Sequence, residues 1–270
     1  MTPPNLAGAE FKTLKLERDG PIARLTLTRP ELLNRIDIPA HGELIRAFRM
    51  IAFMHDIRVV IWSAEGKHFS AGGDLQEVYI QNQDAAVRAL MFQEARDIIF
   101  SLLDIQVPVV VALHGDTFGL GATLILLCDV IVAVRTARFG DPHVRIGLVA
   151  GDGGAIGWPA SAGMIRAKRH LLTGKPVTGE AALAMGLVSD LVETPEECRA
   201  AALQIAEEIA ALPPIAVQGT KRSLNTVLRR QAIDTLETSL LYEQQCLVSR
   251  DMLEAVEAFK EKRQGKYEGR

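Results

Sequence analysis

Residues Val107–Asp129 read VPVVVALHGDTFGLGATLILLCD and indicate how this chain folds. The first part, Val107–Leu113, is a short valine-rich run of the kind that forms a strand buried on both faces. Gly115–Gly121 interrupts that run, because glycine supplies the backbone conformations that a tight turn needs. An apolar stretch ending at Cys128 follows and predicts a helix. The order of strand, glycine-rich turn and helix is typical of an α/β fold.

A second strand, turn and helix are predicted earlier in the chain. Val59–Leu75 reads VVIWSAEGKHFSAGGDL, in which an apolar run precedes a turn of small residues at Phe69–Asp74. Where such a turn opens a helix, the first backbone N–H groups have no partner within the helix. Two of these groups directed at one point form an oxyanion hole, which stabilises negative charge on a carbonyl oxygen. Two ordinary tight turns would show the same glycine pattern, so the spacing alone leaves both interpretations open.

The rest of the chain divides into an alternating part and a helical part. Strands are predicted at Ile22–Thr28 and Asp129–Val134, and helices at Pro39–His55 and Asp84–Leu103. After Thr194 the pattern is almost entirely helical, with one break at Pro213–Pro214. We therefore predict an α/β core over residues 1–194 and a C-terminal helical region over residues 195–270.

The composition limits the classes of partner. The 270 residues are 48% apolar and carry 30 Lys and Arg against 33 Asp and Glu, a net charge of −3. A chain so close to neutral has no general attraction to nucleic acid or to an anionic membrane, so we predict neither as a partner. Its apolar stretches are shorter than a membrane span, and its first residues do not show the pattern of a secretory signal.

The cysteines indicate the compartment. Cys128, Cys198 and Cys246 are an odd and scattered set, which predicts neither a disulfide framework nor a metal cluster. Free cysteines are typical of a reducing environment. We therefore predict a cytoplasmic protein with no bound metal.

Six segments in order resemble the crotonase (enoyl-CoA hydratase/isomerase) superfamily. They are Arg29–Asn34, Val59–Leu75, Val107–Asp129, Ala137–Gly154, Leu171–Ser189 and Ala258–Arg263. The resemblance implies the ClpP-like α/β spiral of ββα turns and a C-terminal helical region that forms a homotrimer or a dimer of trimers. It also implies enolate chemistry on a coenzyme A thioester, which is a substrate, with no permanently bound cofactor.

The resemblance assigns roles to particular positions. It places the oxyanion hole on the backbone N–H groups of Gly73 and Leu120. It also implies contacts with the coenzyme A portion of the substrate from residues around the first turn and from a basic C-terminal segment, the latter across a subunit boundary. These are Ala71, Gly73, Asp74 and Leu75, with Lys262 and Arg263 for the phosphates.

The chain departs from the hydratase pattern at the two catalytic glutamates. Their positions hold Thr123 and His143 here. Threonine does not titrate near neutrality, whereas histidine does. Asp152 lies nine residues beyond His143, and a carboxylate that orients an imidazole would let His143 activate water. A hydrogen-bonded surface histidine and a helix N-cap at Asp152 are the alternative interpretations.

One branch of the superfamily has the same histidine and aspartate. The β-diketone hydrolases of the 6-oxocamphor hydrolase type carry them together with a glutamate that falls near Glu243. That branch cleaves a carbon–carbon bond with water and does not use coenzyme A. A second histidine and an aromatic residue of that branch fall near Gly121 and Ile36, so the match is incomplete.

We therefore predict an enoyl-CoA hydratase/isomerase-like lyase. In this hypothesis the Gly73 and Leu120 N–H groups stabilise an enolate and the His143–Asp152 pair activates water, with Glu243 as a further catalytic candidate. The alternatives are a coenzyme A-independent β-diketone hydrolase, a double-bond isomerase, and a non-catalytic member that binds RNA or a protein. The net charge of −3 argues against RNA.

Overall fold

The computed structural model describes residues 10–270, which form two sheets flanked by helices. The strands are Leu14–Asp19 (β1), Ile22–Leu27 (β2), Val59–Ala64 (β3), Val109–Leu113 (β4), Thr117–Phe118 (β5), Val130–Val134 (β6), Arg138–Gly140 (β7), Val177–Thr178 (β8) and Asp190–Val192 (β9). The main sheet has the order β1-β2-β3-β4-β6-β9, and the smaller sheet has the order β5-β7-β8. In the main sheet only the β1–β2 pair is antiparallel. The predicted α/β class is confirmed.

Ten helices connect and cover these strands within the described residues. They are Ile38–Ala52 (α1), Leu75–Gln83 (α2), Ala85–Leu103 (α3), Leu120–Ile125 (α4), Gly154–Ala162 (α5), Met164–Leu171 (α6), Gly179–Met185 (α7), Pro195–Ala211 (α8), Pro214–Leu247 (α9) and Arg250–Glu261 (α10). Two short 3₁₀ turns, Pro30–Leu32 and His143–Ile146, lie between them. The second of these turns belongs to the candidate site.

The two faces of the main sheet bury different side chains. Because successive side chains of a strand point to opposite faces, Val60 and Trp62 of β3 join one apolar cluster, which includes residues of α1 and α3. Val59 and Ile61 join a second cluster, whose other members include small residues of α8. β4 is a continuous buried apolar run and β3 is one except at Ser63, as expected for parallel strands covered on both faces.

The C-terminal helices begin where the sequence pattern changes. α8 starts at Pro195 with a capping box in which Thr194 and Glu197 bond each other's backbone N–H groups. It packs on the main sheet against β3, β4 and β6. α9 begins at Pro214, at the predicted break, and runs as one helix to Leu247. Its first half is mostly exposed and lacks an apolar stripe facing the core.

The helices can be compared with a membrane span in length and apolar composition. Among residues 10–270 no single helix has the length and apolar composition of a membrane span, while α8 and α9 together reach both but are bent by 112°.

α10 supports the 3₁₀ turn at His143–Ile146 from one side. Ile146 and Leu148 form an apolar cluster with Met252 and Val256 of α10. Gly147, just after the turn, has a φ of +73°, and a Cβ there would lie 2.7 Å from the Met252 Cα. Glycine is therefore required at position 147, both for its conformation and for the close approach of α10.

Candidate active site

The two glycine-rich turns lie side by side. Ser70 and Thr117 form a parallel bridge, and the Phe118 N–H donates to the Ser70 carbonyl at 3.0 Å. Gly73 and Leu120 each follow their bridge residue by three positions, so the pairing brings equivalent backbone groups to the same edge. Gly72 has a φ of +82°, and a Cβ there would lie 2.6 Å from the Phe118 carbonyl oxygen. The close pairing of the turns thus depends on this glycine.

The N–H groups of Gly73 and Leu120 are both available for a ligand. Leu120 is the first residue of α4, and the preceding Gly119 has a φ of +53° and provides no side-chain cap. Over residues 10–270 neither N–H donates to a protein acceptor. Asp74 has a different task, because its Oδ1 accepts from the Gln76 N–H at 2.9 Å and caps α2. The pair of free donors fits the predicted oxyanion hole.

All five residues predicted to be catalytic line one cavity of about 800 Å³. They are Gly73, Leu120, His143, Asp152 and Glu243. Three of the residues predicted to contact coenzyme A, Ala71, Asp74 and Leu75, line the same cavity together with Gly73.

Lys262 and Arg263 do not line this cavity in the single chain. Lys262 ends α10 in the left-handed conformation. Arg263 binds Glu254 and Glu261, with N–O distances of 2.5 Å, in a separate surface depression. Their predicted contact with phosphates across a subunit boundary therefore stays a prediction.

His143 is held by a carboxylate that the sequence analysis missed. Asp141 follows β7, and its Oδ1 lies 2.5 Å from the His143 Nδ1 and accepts from the His143 backbone N–H at 3.1 Å. We expected Asp152 to orient this ring, but the carboxylate on Nδ1 is that of Asp141. The signal for it was the Asp-Pro-His order after β7, because Asp side chains commonly bond the backbone two residues on.

Asp152 lies on the other side of the imidazole. Its Oδ2 is 3.6 Å from the His143 Nε2, and the Thr123 hydroxyl donates to its Oδ1 at 3.4 Å. Asp152 does not cap α5, whose N-cap is Gly153 without a side-chain bond. A carboxylate from the 151–153 turn therefore occupies the space beside Thr123, where the resemblance expects a glutamate.

Glu243 reaches the same cavity from α9. A Cβ at Gly151 would lie 2.3 Å from the Glu243 Oε2, so a glycine at this turn makes room for the carboxyl group. Burial, together with the negative charge of Asp152, raises the pKa of Glu243 to about 8. The carboxyl group is consequently neutral near pH 7.

The charges around His143 favour its protonated form. Burial alone would lower the pKa of His143, but the charges of Asp141 and then Asp152 raise it well above 6.5. Burial would raise the pKa of Asp141, but the charge and hydrogen bond of His143 hold it below 3.8. Burial raises the pKa of Asp152 above 3.8, although the charge of His143 works against this. Near neutrality the site thus contains an imidazolium between two carboxyl groups.

The same three side chains are the candidate metal ligands of the described residues. One ligand atom from each of Asp141, His143 and Asp152 lies within 4.8 Å of the others. The His143 Nδ1 is bonded to Asp141, which leaves Nε2 and Asp152 facing the cavity. Two facing ligands are fewer than a zinc site normally uses, so we assign these groups to acid–base chemistry.

Known proteins resemble this chain over nearly its whole length. The family model described as enoyl-CoA hydratase/isomerase matches residues 17–270. A short-chain-enoyl-CoA hydratase of Clostridium acetobutylicum is 31% identical over 260 residues, covering 94% of this chain and 97% of the relative. A cyclohexa-1,5-dienecarbonyl-CoA hydratase of Thauera aromatica is 33% identical over 263 residues, covering 94% and 96%.

Solved structures described as enoyl-CoA hydratase/isomerases have a similar fold. The crystal structure of an enoyl-CoA hydratase/isomerase from Mycobacterium paratuberculosis superposes with a TM-score of 0.88 at 33% identity, covering 92% of this chain and 99% of that one. An enoyl-CoA hydratase/isomerase from Pseudoalteromonas atlantica superposes with a TM-score of 0.84 at 28% identity, covering 95% and 100%.

Proposed function

Since the chain belongs to the enoyl-CoA hydratase/isomerase family of the crotonase superfamily, we propose that it adds water reversibly across the 2,3 double bond of an enoyl-CoA. The predicted superfamily and its α/β fold are confirmed, and the chain is an acyl-CoA enzyme of the hydratase/lyase class. The relatives do not support the alternative of carbon–carbon hydrolysis.

The observation that carries the proposal is the placement of Asp152. Its carboxyl group lies beside Thr123 and 3.6 Å from the His143 Nε2, in the cavity that also holds the Gly73 and Leu120 N–H groups. Hydration needs one group that accepts a proton from water and one that gives a proton to carbon. Asp152 and the His143 imidazolium supply both, although the two-glutamate pattern is absent.

The reaction proceeds through an enolate. Asp152 accepts a proton from water as the oxygen bonds to C3, and the electron pair of the double bond moves into the thioester carbonyl. The Gly73 and Leu120 N–H groups stabilise the negative charge on that oxygen. The His143 Nε2 then gives its proton to C2. Transfer of the proton from Asp152 to His143 restores the resting state, so only water is added.

Asp141 supports these reaction steps without touching the substrate. Its 2.5 Å contact fixes the Nδ1 side of the imidazole and directs Nε2 towards Asp152 and the cavity. Its negative charge also stabilises the imidazolium. Asp141 therefore acts as a positioning residue and His143 as the proton donor.

The proposal is tested with a panel of thioesters. Crotonyl-CoA, 2-hexenoyl-CoA, 3-hexenoyl-CoA and 3-oxohexanoyl-CoA are incubated with the enzyme, and the products are identified by mass. We expect water addition to the 2-enoyl thioesters and no cleavage of the 3-oxo thioester. Cleavage of the 3-oxo thioester, or migration of the double bond without water addition, would overturn the proposed hydration reaction.

The assembly and location of the enzyme are further proposals. The exposed face of α9 carries Ile215, Leu224 and Val227, which are 88%, 67% and 61% exposed in the single chain. Leu224 and Val227 share one side of the helix, and so much exposed apolar surface supports a subunit interface; we propose the homotrimer or dimer of trimers. In that assembly Lys262 and Arg263 would contact the phosphates of coenzyme A bound to a neighbouring subunit. We also propose that the enzyme is located in the cytoplasm.

A further inference from the structure

A second imidazole, His41, lines the cavity but takes no part in the proposed chemistry. His41 belongs to α1 and is 3% exposed. Its Nδ1 lies 3.3 Å from the Glu94 Oε2 on α3, and the side chain of Glu94 is 23% exposed. The pair sits where α1 and α3 pack together. A buried imidazole of this kind needs an explanation, because enclosing a polar group without a partner costs free energy.

The polar atoms of the pair are incompletely satisfied. The His41 Nδ1 and the Glu94 Oε2 are both enclosed, and neither makes a well-directed hydrogen bond within the described part of the chain. With Nδ1 facing Glu94, Nε2 is the nitrogen left for the cavity, and it too has no hydrogen-bond partner among residues 10–270. An unmatched nitrogen on a cavity wall is suited to bind a polar group of a ligand.

The apolar side chains near His41 are of the kind expected around an acyl chain. Met91, Phe92 and Ala95 lie on the same helix as Glu94 and line the cavity, and Leu240 faces it from α9. These apolar side chains fit the hydrocarbon portion of a thioester. His41 is also close enough to Asp152 that a positive charge on it favours the ionised carboxylate. The imidazole therefore lies on the acyl side of the site, near the reacting carbons.

The charge of the cavity restricts the polar group that fits. Glu77 and Asp152 line the cavity and Glu94 lies beside His41, so these carboxyl groups disfavour a carboxylate on the acyl chain. Arg35 and Arg88 also line the cavity, but Arg35 is paired with Asp37 and Asp74, and Arg88 donates to backbone carbonyls. A hydroxyl group both donates and accepts a hydrogen bond, so it matches an imidazole in either protonation state. It also adds no charge.

We propose that His41 binds a hydroxyl group on the acyl chain, so that the substrates are hydroxylated acyl-CoA thioesters in preference to plain alkyl ones. This proposal rests on the proposed function, since it assumes a thioester in this cavity. The hydroxyl group stands beyond C3, because C2 and C3 are occupied by the reaction. A plain alkyl chain would instead leave the His41 Nε2 buried and unpaired.

Saturated thioesters test the proposal by binding alone, without turnover. Dissociation constants are measured by calorimetry for hexanoyl-CoA and for its 4-, 5- and 6-hydroxy derivatives. We expect at least one hydroxy derivative to bind about tenfold tighter than hexanoyl-CoA, the factor that one hydrogen bond of typical strength provides. Equal dissociation constants, tighter binding of hexanoyl-CoA, or no binding of any hydroxy derivative would overturn the proposal.

Variants assign the preference to His41. His41→Phe keeps a planar ring without nitrogen, and we expect the ratio of the two constants to approach one. His41→Gln keeps a donor and an acceptor and should retain part of the preference. Met91→Leu alters the apolar wall and should shift both constants by the same factor. An unchanged ratio in both His41 variants would overturn the assignment, and the wild-type ratio decides the substrate class even if His41→Phe does not fold.

The binding experiment and the reaction experiment test the two proposals independently. An enzyme that prefers the hydroxy thioesters but does not hydrate any 2-enoyl-CoA would overturn the proposed reaction and leave the role of His41 standing. An enzyme that hydrates 2-hexenoyl-CoA and binds hexanoyl-CoA as tightly as its hydroxy derivatives would overturn only the role of His41.

Discussion

The two nitrogens of His143 face carboxylates with different tasks. Asp141 is buried against Nδ1 at 2.5 Å, whereas Asp152 stands 3.6 Å from Nε2 at the edge of the cavity. The first contact fixes the ring and its charge, and the second joins two groups that both line the cavity in which water and substrate would lie. An imidazolium held in this way can give a proton to carbon while the neighbouring carboxylate accepts one from oxygen.

Asp152→Asn removes the group that accepts a proton from water but keeps the size of the side chain. We expect kcat for 2-hexenoyl-CoA hydration to fall by about 10²–10⁴, the usual contribution of a general base, while hexanoyl-CoA still binds. Asp84→Asn is the matched control, because Asp84 caps α3 outside the cavity and asparagine caps equally well. Full activity of Asp152→Asn would exclude the proposed base.

The pH dependence follows from the same two groups. His143 must be protonated, so activity is present below its raised pKa and is lost as the pH rises through that value. Asp152 must be ionised, so activity is lost as the pH falls through its own raised pKa. We expect a bell-shaped profile of kcat whose alkaline limb lies well above 6.5.

In Asp141→Asn the largest charge that raises the pKa of His143 is absent, so the alkaline limb should move to lower pH. The profile is measured beside that of the wild-type enzyme. A limb that stays in place would show that Asp141 does not control the protonation of His143.

Most of the candidate site was predicted from the resemblance to the superfamily, and the missing part was not. The two similar turns alone left ordinary tight turns open, and the resemblance selected Gly73, Leu120 and His143, with Asp152 on the same short segment as His143. The role of Asp141 depends on which nitrogen of a ring faces which carboxylate, and spacing does not contain that information. The free Nε2 of His41 depends in the same way on how α1 packs against α3.

At the scale of elements, α8 shows how small residues allow close packing. Cys198, Ala202, Ala206 and Ala210 recur every four residues and lie in the cluster on the second face of the main sheet. Residues four apart share one face of a helix. Their small side chains let the helix axis approach the sheet, so the face has little space for larger groups.

Ala206→Leu should therefore overpack this contact. We expect the free energy of unfolding to fall by about 1–3 kcal/mol, as overfilled cores typically show. Ala200→Leu, on the exposed side of the same helix, is the control and should leave stability nearly unchanged. Urea denaturation of both variants measures the difference, and equal stabilities would mean that the α8 contact is loose.

The elements differed in how well the sequence predicted them. The buried strands were found because they are uniformly apolar, as in Val109–Leu113. The first half of α9 lies within the predicted helical region, but it shows no apolar stripe, because its apolar residues, such as Ile215 and Leu224, are exposed. Periodicity detects a helix through the face it buries in its own chain, and this segment buries little there.

At the scale of the molecule, that unburied face predicts assembly. Leu224 and Val227 are three residues apart, so they lie together on the outer side of α9. We expect Leu224→Glu/Val227→Glu to shift the enzyme from a trimer or hexamer towards monomers in light scattering, because the interface would bury two unpaired charges. Arg222→Glu, on the other side of the helix, should not change the mass. A wild-type monomer would contradict the proposed assembly.

The packing of α10 on the His143–Ile146 turn has a consequence for synthesis of the protein on the ribosome. The turn is translated more than a hundred positions before Met252, the residue that contacts Gly147. While the chain is being made, the main sheet can form around an imidazole whose supporting helix does not yet exist. A nascent chain that stops before Arg250 would therefore lack the helix that packs on the His143–Ile146 turn, and we expect activity only after α10 has left the ribosome.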